Sequence, residues 1–85
     1  MNFELLYTKR AVRDIQKLNE RTKTRIKIAL EIYSENPYKY LEKLTNFSYG
    51  NYRFRIGDYR VIFDIDENRI VILRVGHRKE VYKGK

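Results

Sequence analysis

Tyr52-Arg53-Phe54-Arg55-Ile56-Gly57-Asp58-Tyr59-Arg60-Val61-Ile62-Phe63 decides the fold. Up to Ile56, large apolar residues alternate with arginine, which is the period-two pattern of a strand with one face buried. Gly57-Asp58 then interrupts, and Tyr59, Val61, Phe63 and Ile65 resume the alternation against Arg60, Ile62 and Asp64. Gly at the first central position is the preference of a two-residue II′ hairpin turn. That turn sets Ile56 opposite Tyr59, Arg55 opposite Arg60 and Phe54 opposite Val61. Tyr52, Phe54, Ile56, Tyr59, Val61 and Phe63 then share the core face, and Arg53, Arg55 and Arg60 share the other.

Like charges facing one another weaken a hairpin. The one acidic side chain placed nearby is Asp64, further along the strand. An arrangement that costs stability points to a site, and the planar guanidinium fork matches a phosphate. A solvated polar face whose arginines reach outward would give the same alternation.

Working toward the N-terminus, residues 38–51 carry Tyr38, Tyr40, Leu41, Leu44, Phe47 and Tyr49, so this loop is expected to pack on the core. Before it, Ile26, Ala29, Leu30 and Tyr33 form a helical stripe, widened by Ile28 and Ile32, with Asn19 as its cap. Asn36-Pro37 ends that helix, because proline disfavours helical geometry in the residue before it. Ala11, Val12, Ile15 and Leu18 mark an earlier helix capped by Thr8, with Arg10, Arg13, Asp14 and Lys17 between them on a basic outer face. Residues 3–7 suit a first strand.

Working toward the C-terminus, Asp66-Glu67-Asn68 is a turn. Residues 69–75 form a strand apolar at both parities, as expected of a central strand covered on both faces. The fold class is therefore α+β: a βααβββ order with a twisted, mostly antiparallel sheet and both helices on one face. Residues 1–85 form a single domain.

The register of the second hairpin stays open. A two-residue loop sets Val75 opposite Arg60, and a three-residue loop sets Arg74 there, so Arg74 is a candidate for either a substrate contact or a structural role. Gly76 lets the backbone bend, and His77, Arg78 and Tyr82 follow, expected near the arginine face. A lone histidine is more often incidental than catalytic.

Composition narrows the function. Net charge is +8 on 85 residues, which favours a polyanionic or acidic partner. Ten basic and six acidic residues lie in 1–50, nine and five in 51–85. A positive site must therefore be assembled by folding rather than carried on a tail. There is no cysteine and one histidine, so neither a disulfide nor a metal site is expected, and no cofactor. No apolar run reaches the roughly 18 residues of a membrane span, and Met1-Asn2-Phe3-Glu4 shows no signal-peptide pattern, so none is expected. The expected location is the cytoplasm. A nucleotide-binding enzyme is disfavoured by the lack of a glycine-rich loop.

The hairpin motif, followed by Val75-Gly76-His77-Arg78-Lys79-Glu80-Val81-Tyr82, resembles the RelE/ParE toxin superfamily, and its RelE branch most. The helices and Asn36-Pro37 extend the resemblance over nearly the whole chain. It implies a RelE-like fold and a toxin of a type II toxin–antitoxin system. RelE-type toxins cut mRNA in the ribosomal A site without a metal: the message's 2′-hydroxyl attacks the adjacent phosphate and leaves a 2′,3′-cyclic phosphate. By motif match the site falls on Arg53, Arg55, Arg60, Arg78 and Tyr82. Some relatives carry lysines where Arg53 and Arg55 stand. Arginine stays protonated, so these two are expected to bind charge, while His77 is the candidate to move a proton. The stretch between Arg78 and Tyr82 is shorter than in some relatives.

The resemblance also implies partners: the ribosome and mRNA, and a RelB-like antitoxin with an acidic wrapping segment, in a toxin–antitoxin hetero-oligomer. Two other functions fit the same fold class. One is a ParE-type toxin that binds DNA gyrase and cuts nothing. The other is a non-catalytic RNA-binding module, against which stands the placement of the hairpin aromatics on the core side.

Overall fold

The structure, a computed structural model, describes residues 2–45 and 50–83. Its elements are β1 (Glu4–Tyr7), α1 (Lys9–Gln16), α2 (Glu20–Tyr33), a 3-10 turn (Pro37–Lys39), β2 (Glu42–Lys43), β3 (Tyr52–Ile56), β4 (Tyr59–Asp66) and β5 (Arg69–His77). The strands form one sheet in the order β1-β5-β4-β3-β2. β1 runs parallel to β5, and every other pair is antiparallel. The βααβββ order is present, with β2 as an added two-residue edge strand.

Both helices start at the expected caps. Thr8 accepts a hydrogen bond from Ala11 N at 3.1 Å, and Asn19 accepts one from Thr22 N at 2.8 Å. Each satisfies a helix N–H that has no partner of its own. Ala11, Ile26 and Leu30 are buried against Phe54, Ile56, Val61, Phe63, Ile70 and Ile72 of the sheet. Phe54 and Phe63 stack at 4.2 Å, and Tyr33 reaches Phe54 from α2 at 5.0 Å. Val12, Ile28 and Ile32 are exposed, so the apolar stripes are narrower than the sequence suggests. Tyr40 and Leu41 pack on the core edge and Tyr38 is exposed. Phe47 and Tyr49 lie outside the described residues.

The first hairpin has the expected register, with Ile56 opposite Tyr59, Arg55 opposite Arg60 and Phe54 opposite Val61. Gly57 has a φ of 60° and Asp58 keeps an ordinary negative φ. That combination separates a II′ turn from a I′ turn, which needs both central residues left-handed.

The second hairpin departs from both registers considered above. It starts with a two-residue turn, Asp66 opposite Arg69, but a bulge between Ile62 and Phe63 shifts the pairing. Leu73 is the extra residue, so Arg74 faces Ile62, Val75 faces Val61, Gly76 faces Arg60 and His77 faces Tyr59. A bulge reverses which parity faces the core. Ile70 and Ile72 point to the core before it, and Val75 after it. This explains the apolar residues at both parities of β5: the buried face changes parity mid-strand. Val71 and Leu73 are only half-buried.

The free edge of β5 beyond β1 is closed by α1. Thr8 N donates to Ile72 O, and Thr8 Oγ1 to Leu73 O. Asp14 Oδ2 accepts from Val75 N at 3.0 Å and from Arg74 Nε at 2.8 Å. On the second face of the sheet, a Cβ on Gly50 would lie 2.6 Å from Ile62 Cγ2 and 3.1 Å from Leu73 Cδ1. Backbone therefore lies directly over those residues, and only glycine fits there.

Charge is uneven in the fold. Residues 9–27 carry eight basic and two acidic side chains, and one of those acids is the buried Asp14. The remaining eleven basic residues are offset by nine acidic ones. Most of the net charge lies on the helical layer.

Candidate functional site

The second sheet face divides in two. At one end Gly50 covers Ile62 and Leu73. At the other, the register brings Arg53, Arg55 and Arg60 onto one surface. Arg55 is the most open, with 57% of its side chain exposed. Glu42, opposite Arg53 in β2, bridges the first two: its Oε1 accepts from Arg53 Nε at 2.8 Å and its Oε2 from Arg55 Nη1 at 3.5 Å. A carboxylate thus occupies the position between two arginine forks that would suit a phosphate. The hydrogen bond from Arg53 holds the Glu42 carboxyl below the usual carboxylate range.

The C-terminal segment returns over the same face. Glu80 N and Val81 N both donate to His77 O, closing a turn. Val81 is buried, and a Cβ on Gly76 would touch its side chain at 3.4 Å. Because Gly76 faces Arg60, Val81 sits on the arginine side. Tyr82 comes next, and its phenol oxygen accepts from Arg53 Nη1 at 2.6 Å. The hydrogen bond to Tyr82, and then that to Glu42, raises the Arg53 pKa above its ordinary value. Arg78 begins the turn: its N donates to Asp58 O at 2.8 Å, and its Nε lies 3.6 Å from Asp58 Oδ1, with 53% of the side chain exposed. The site is therefore built from β2, β3, the hairpin turn and the C-terminal turn.

Three expected members sit differently. Arg60 shares the face but is only 7% exposed, and its Nη1 donates to Gly57 O and Tyr59 O at 2.9 Å each. It braces the hairpin turn from within. Arg74 is 8% exposed and paired with Asp14 of α1, which gives it a structural position. His77 pairs with Tyr59, a core-side residue, and their rings meet edge-on at 5.6 Å. Its Nδ1 accepts from Lys79 N. The expectation that His77 lies near the arginines is corrected: the bulge turns its side chain to the opposite sheet face. Asp64, the acid nearest the arginines in the sequence pattern, accepts from Asn51 N instead.

The model of the ParE toxin of the type II toxin–antitoxin system parDE matches residues 5–82. The chain belongs to the RelE/ParE family of type II toxins. It is 30% identical to toxin RelE3 of Methanocaldococcus jannaschii over 93% of this chain and 94% of that protein. It is 31% identical to toxin RelG of Mycobacterium tuberculosis over 98% and 99%. Among solved structures, the M. tuberculosis RelBE2 toxin–antitoxin complex aligns with a TM-score of 0.81 at 31% identity, covering 92% of this chain and all of that one. The archaeal RelE–RelB complex of Pyrococcus horikoshii aligns at 0.71 and 26% identity, covering 95% and 100%.

Within this RelE-like toxin, two residues of consequence escape a reading of the sequence. Glu42 lies in a stretch with no strand signal, because a two-residue edge strand leaves no period to detect. Asp14 resembles any charged residue on the outer face of an amphipathic helix. Only the bulge at Leu73 brings Val75 N and Arg74 to it. The spacing Asp14-x-x-x-Leu18 carries no sign of that contact.

Proposed function

We propose that this toxin is a metal-independent endoribonuclease that cuts mRNA in the ribosomal A site and so stops translation. The observation that carries this reading is that β3 and the C-terminal turn bring Arg53, Arg55 and Tyr82 onto one sheet face, with the exposed Arg78 held against Asp58 at the adjoining hairpin turn. In the reaction, the 2′-hydroxyl of the message gives up its proton and attacks the neighbouring phosphorus, and the bond to the 5′-oxygen of the next nucleotide breaks, that oxygen taking up a proton, so that a 2′,3′-cyclic phosphate and a 5′-hydroxyl remain. Extra negative charge develops on the phosphate oxygens in the transition state. Preorganised donors aimed at that charge accelerate the step, and Arg55 and Arg78 are the exposed cations placed to supply them. Arginine remains protonated throughout, so both act by charge and hydrogen bonding. Arg60 contributes by bracing the turn that carries Asp58, on which Arg78 rests.

The same reading supplies a partner. We infer a RelB-like antitoxin whose acidic, extended segment lies over the helices, giving a hetero-oligomer in the cytoplasm. Supporting this are the net charge of residues 9–27 and an apolar groove of about 310 Å³ lined by Tyr7, Val12, Ile15, Ile26, Leu30 and the lysines Lys23 and Lys27. The two aligned complexes each pair a toxin of this fold with an antitoxin. Among the described residues no helix is long and apolar enough to cross a membrane.

Mapping mRNA 5′ ends on programmed ribosomes tests the activity. The wild-type chain should leave a 2′,3′-cyclic phosphate, and Arg55→Ala and Arg78→Ala should each slow cutting roughly a hundred- to a thousandfold while binding the ribosome nearly as well. The match to the ParE model favours one other reading, inhibition of DNA gyrase by binding. Intact mRNA together with loss of gyrase supercoiling would establish that reading instead.

A further inference from the structure

Arg53 is the most heavily engaged side chain on the arginine face. Its Nε is taken by Glu42 and its Nη1 by Tyr82. A guanidinium has five donors and no acceptor, so in the 2.6 Å contact the phenol oxygen must accept. The phenolic proton takes no part in that bond. Arg53 also lies 6.0 Å from the centre of the Tyr82 ring, so one guanidinium meets both the ring and its oxygen.

What holds Arg53 there is not its own strand. Arg53 and Arg55 project from the same face two residues apart, and like charges so placed repel. A flexible arginine would relieve this by turning to water. Glu42 prevents it, because its carboxylate touches both guanidinium groups at 2.8 and 3.5 Å and offsets one of the two charges. Glu42 can do so because β2 pairs it directly opposite Arg53. The C-terminal turn is anchored to the sheet by Val81 over Gly76, and at Tyr82 through Arg53.

We propose that Glu42 is a positioning residue for Tyr82: it holds the Arg53 guanidinium over the sheet, and Arg53 in turn fixes the phenol on the arginine face. As regards turnover, this rests on the nuclease reading. The alternative role for Glu42 is that of a competitor, an internal anion that a phosphate must displace. The two roles predict opposite effects of neutralising it.

The test uses the full chain with 13C-labelled tyrosine ring carbons, the Tyr82 signal being assigned by its loss in Tyr82→Phe. In Glu42→Gln the Tyr82 Cζ signal should move toward that of a solvent-exposed tyrosine, while those of Tyr33 and Tyr52 stay in place. On programmed ribosomes Glu42→Gln should lower kcat between about ten- and a hundredfold, the scale of a misplaced reacting group, with KM unchanged. Glu42→Asp, which keeps the charge but draws it back, should recover part of the loss. Glu42→Gln/Tyr82→Phe should cut no more slowly than Tyr82→Phe alone, because both act through one contact. An unmoved Tyr82 signal overturns the proposal. So does faster cutting or tighter mRNA binding by Glu42→Gln, or a double variant whose losses multiply. If the wild-type chain cuts nothing, the nuclease reading fails, and the Tyr82 signal still decides whether Glu42 holds the phenol.

Discussion

Asp14→Ala should be among the most damaging single changes in the helical layer. Asp14 is 9% exposed and Arg74 8%. The carboxylate accepts from Arg74 Nε at 2.8 Å and Val75 N at 3.0 Å, with Arg10 Nε 3.7 Å from its other oxygen. Removing one partner of a buried pair typically costs about 3–5 kcal/mol, because the other charge stays buried. An orphaned backbone N–H adds about 1–3 kcal/mol. Both groups keep a little contact with water and Arg74 has a further contact, so the low end, about 3 kcal/mol, is the expected loss. In a domain of this size about 1 kcal/mol corresponds to roughly 4–8 °C, so the melting temperature should fall by about 12–24 °C. Thermal and urea unfolding followed by circular dichroism would measure it. Asp14→Ala/Arg74→Met should be less destabilised than Asp14→Ala, since replacing both members removes the stranded charge. A loss below about 1 kcal/mol for Asp14→Ala, or a double variant that loses the sum of its singles, would refute the reasoning.

Three further outcomes follow from the geometry. His77→Ala should leave the cleavage rate and its pH profile unchanged, because the imidazole is on the Tyr59 side of the sheet; loss of a limb near neutrality would return it to the chemistry. Glu42 titrates below its ordinary 4.5 when folded, so its contribution to stability is complete above that pH and is lost as pH falls through the lowered value; urea midpoints of the wild type should converge on those of Glu42→Gln in acid, and a gap that persists there would contradict this. Gly57→Ala should cost about 1–2 kcal/mol by equilibrium unfolding, the penalty of a left-handed backbone with a Cβ, and the new atom must also displace the Arg25 guanidinium 2.6 Å away; an unchanged midpoint would show that the turn adapts.

The first hairpin was legible because three local signals agree: alternation, a glycine at the one position that needs a positive φ, and a turn too short to allow another register. From these, the shared face of Arg53, Arg55 and Arg60 follows directly. The helices were legible from their caps, Thr8 and Asn19, though their stripes were drawn too wide at Val12, Ile28 and Ile32. The second hairpin was not legible. Nothing in Ile70-Val71-Ile72-Leu73 says which apolar residue bulges, since all four suit either face, and the choice is made by α1 against the open edge of β5. That one unreadable residue decides the positions of Arg74, Gly76 and His77. Nor could the pattern show that Arg60 folds inward, because backbone carbonyls at a turn compete for a guanidinium as well as a ligand does.

The concentration of positive charge on residues 9–27 makes the molecule electrically two-sided. Its thinnest extent is 23 Å, whereas at physiological salt fields decay over about 8 Å. The helical layer and the arginine face therefore do not sense a common potential: each sees its surroundings through its own few layers of water and ions. A polyanion at a distance is drawn and turned by the helices. Discrimination at the sheet begins only at contact, where Glu42 has already cancelled one of the exposed charges. Ionic strength should accordingly govern how often the protein meets its target far more than what it does once the two have met.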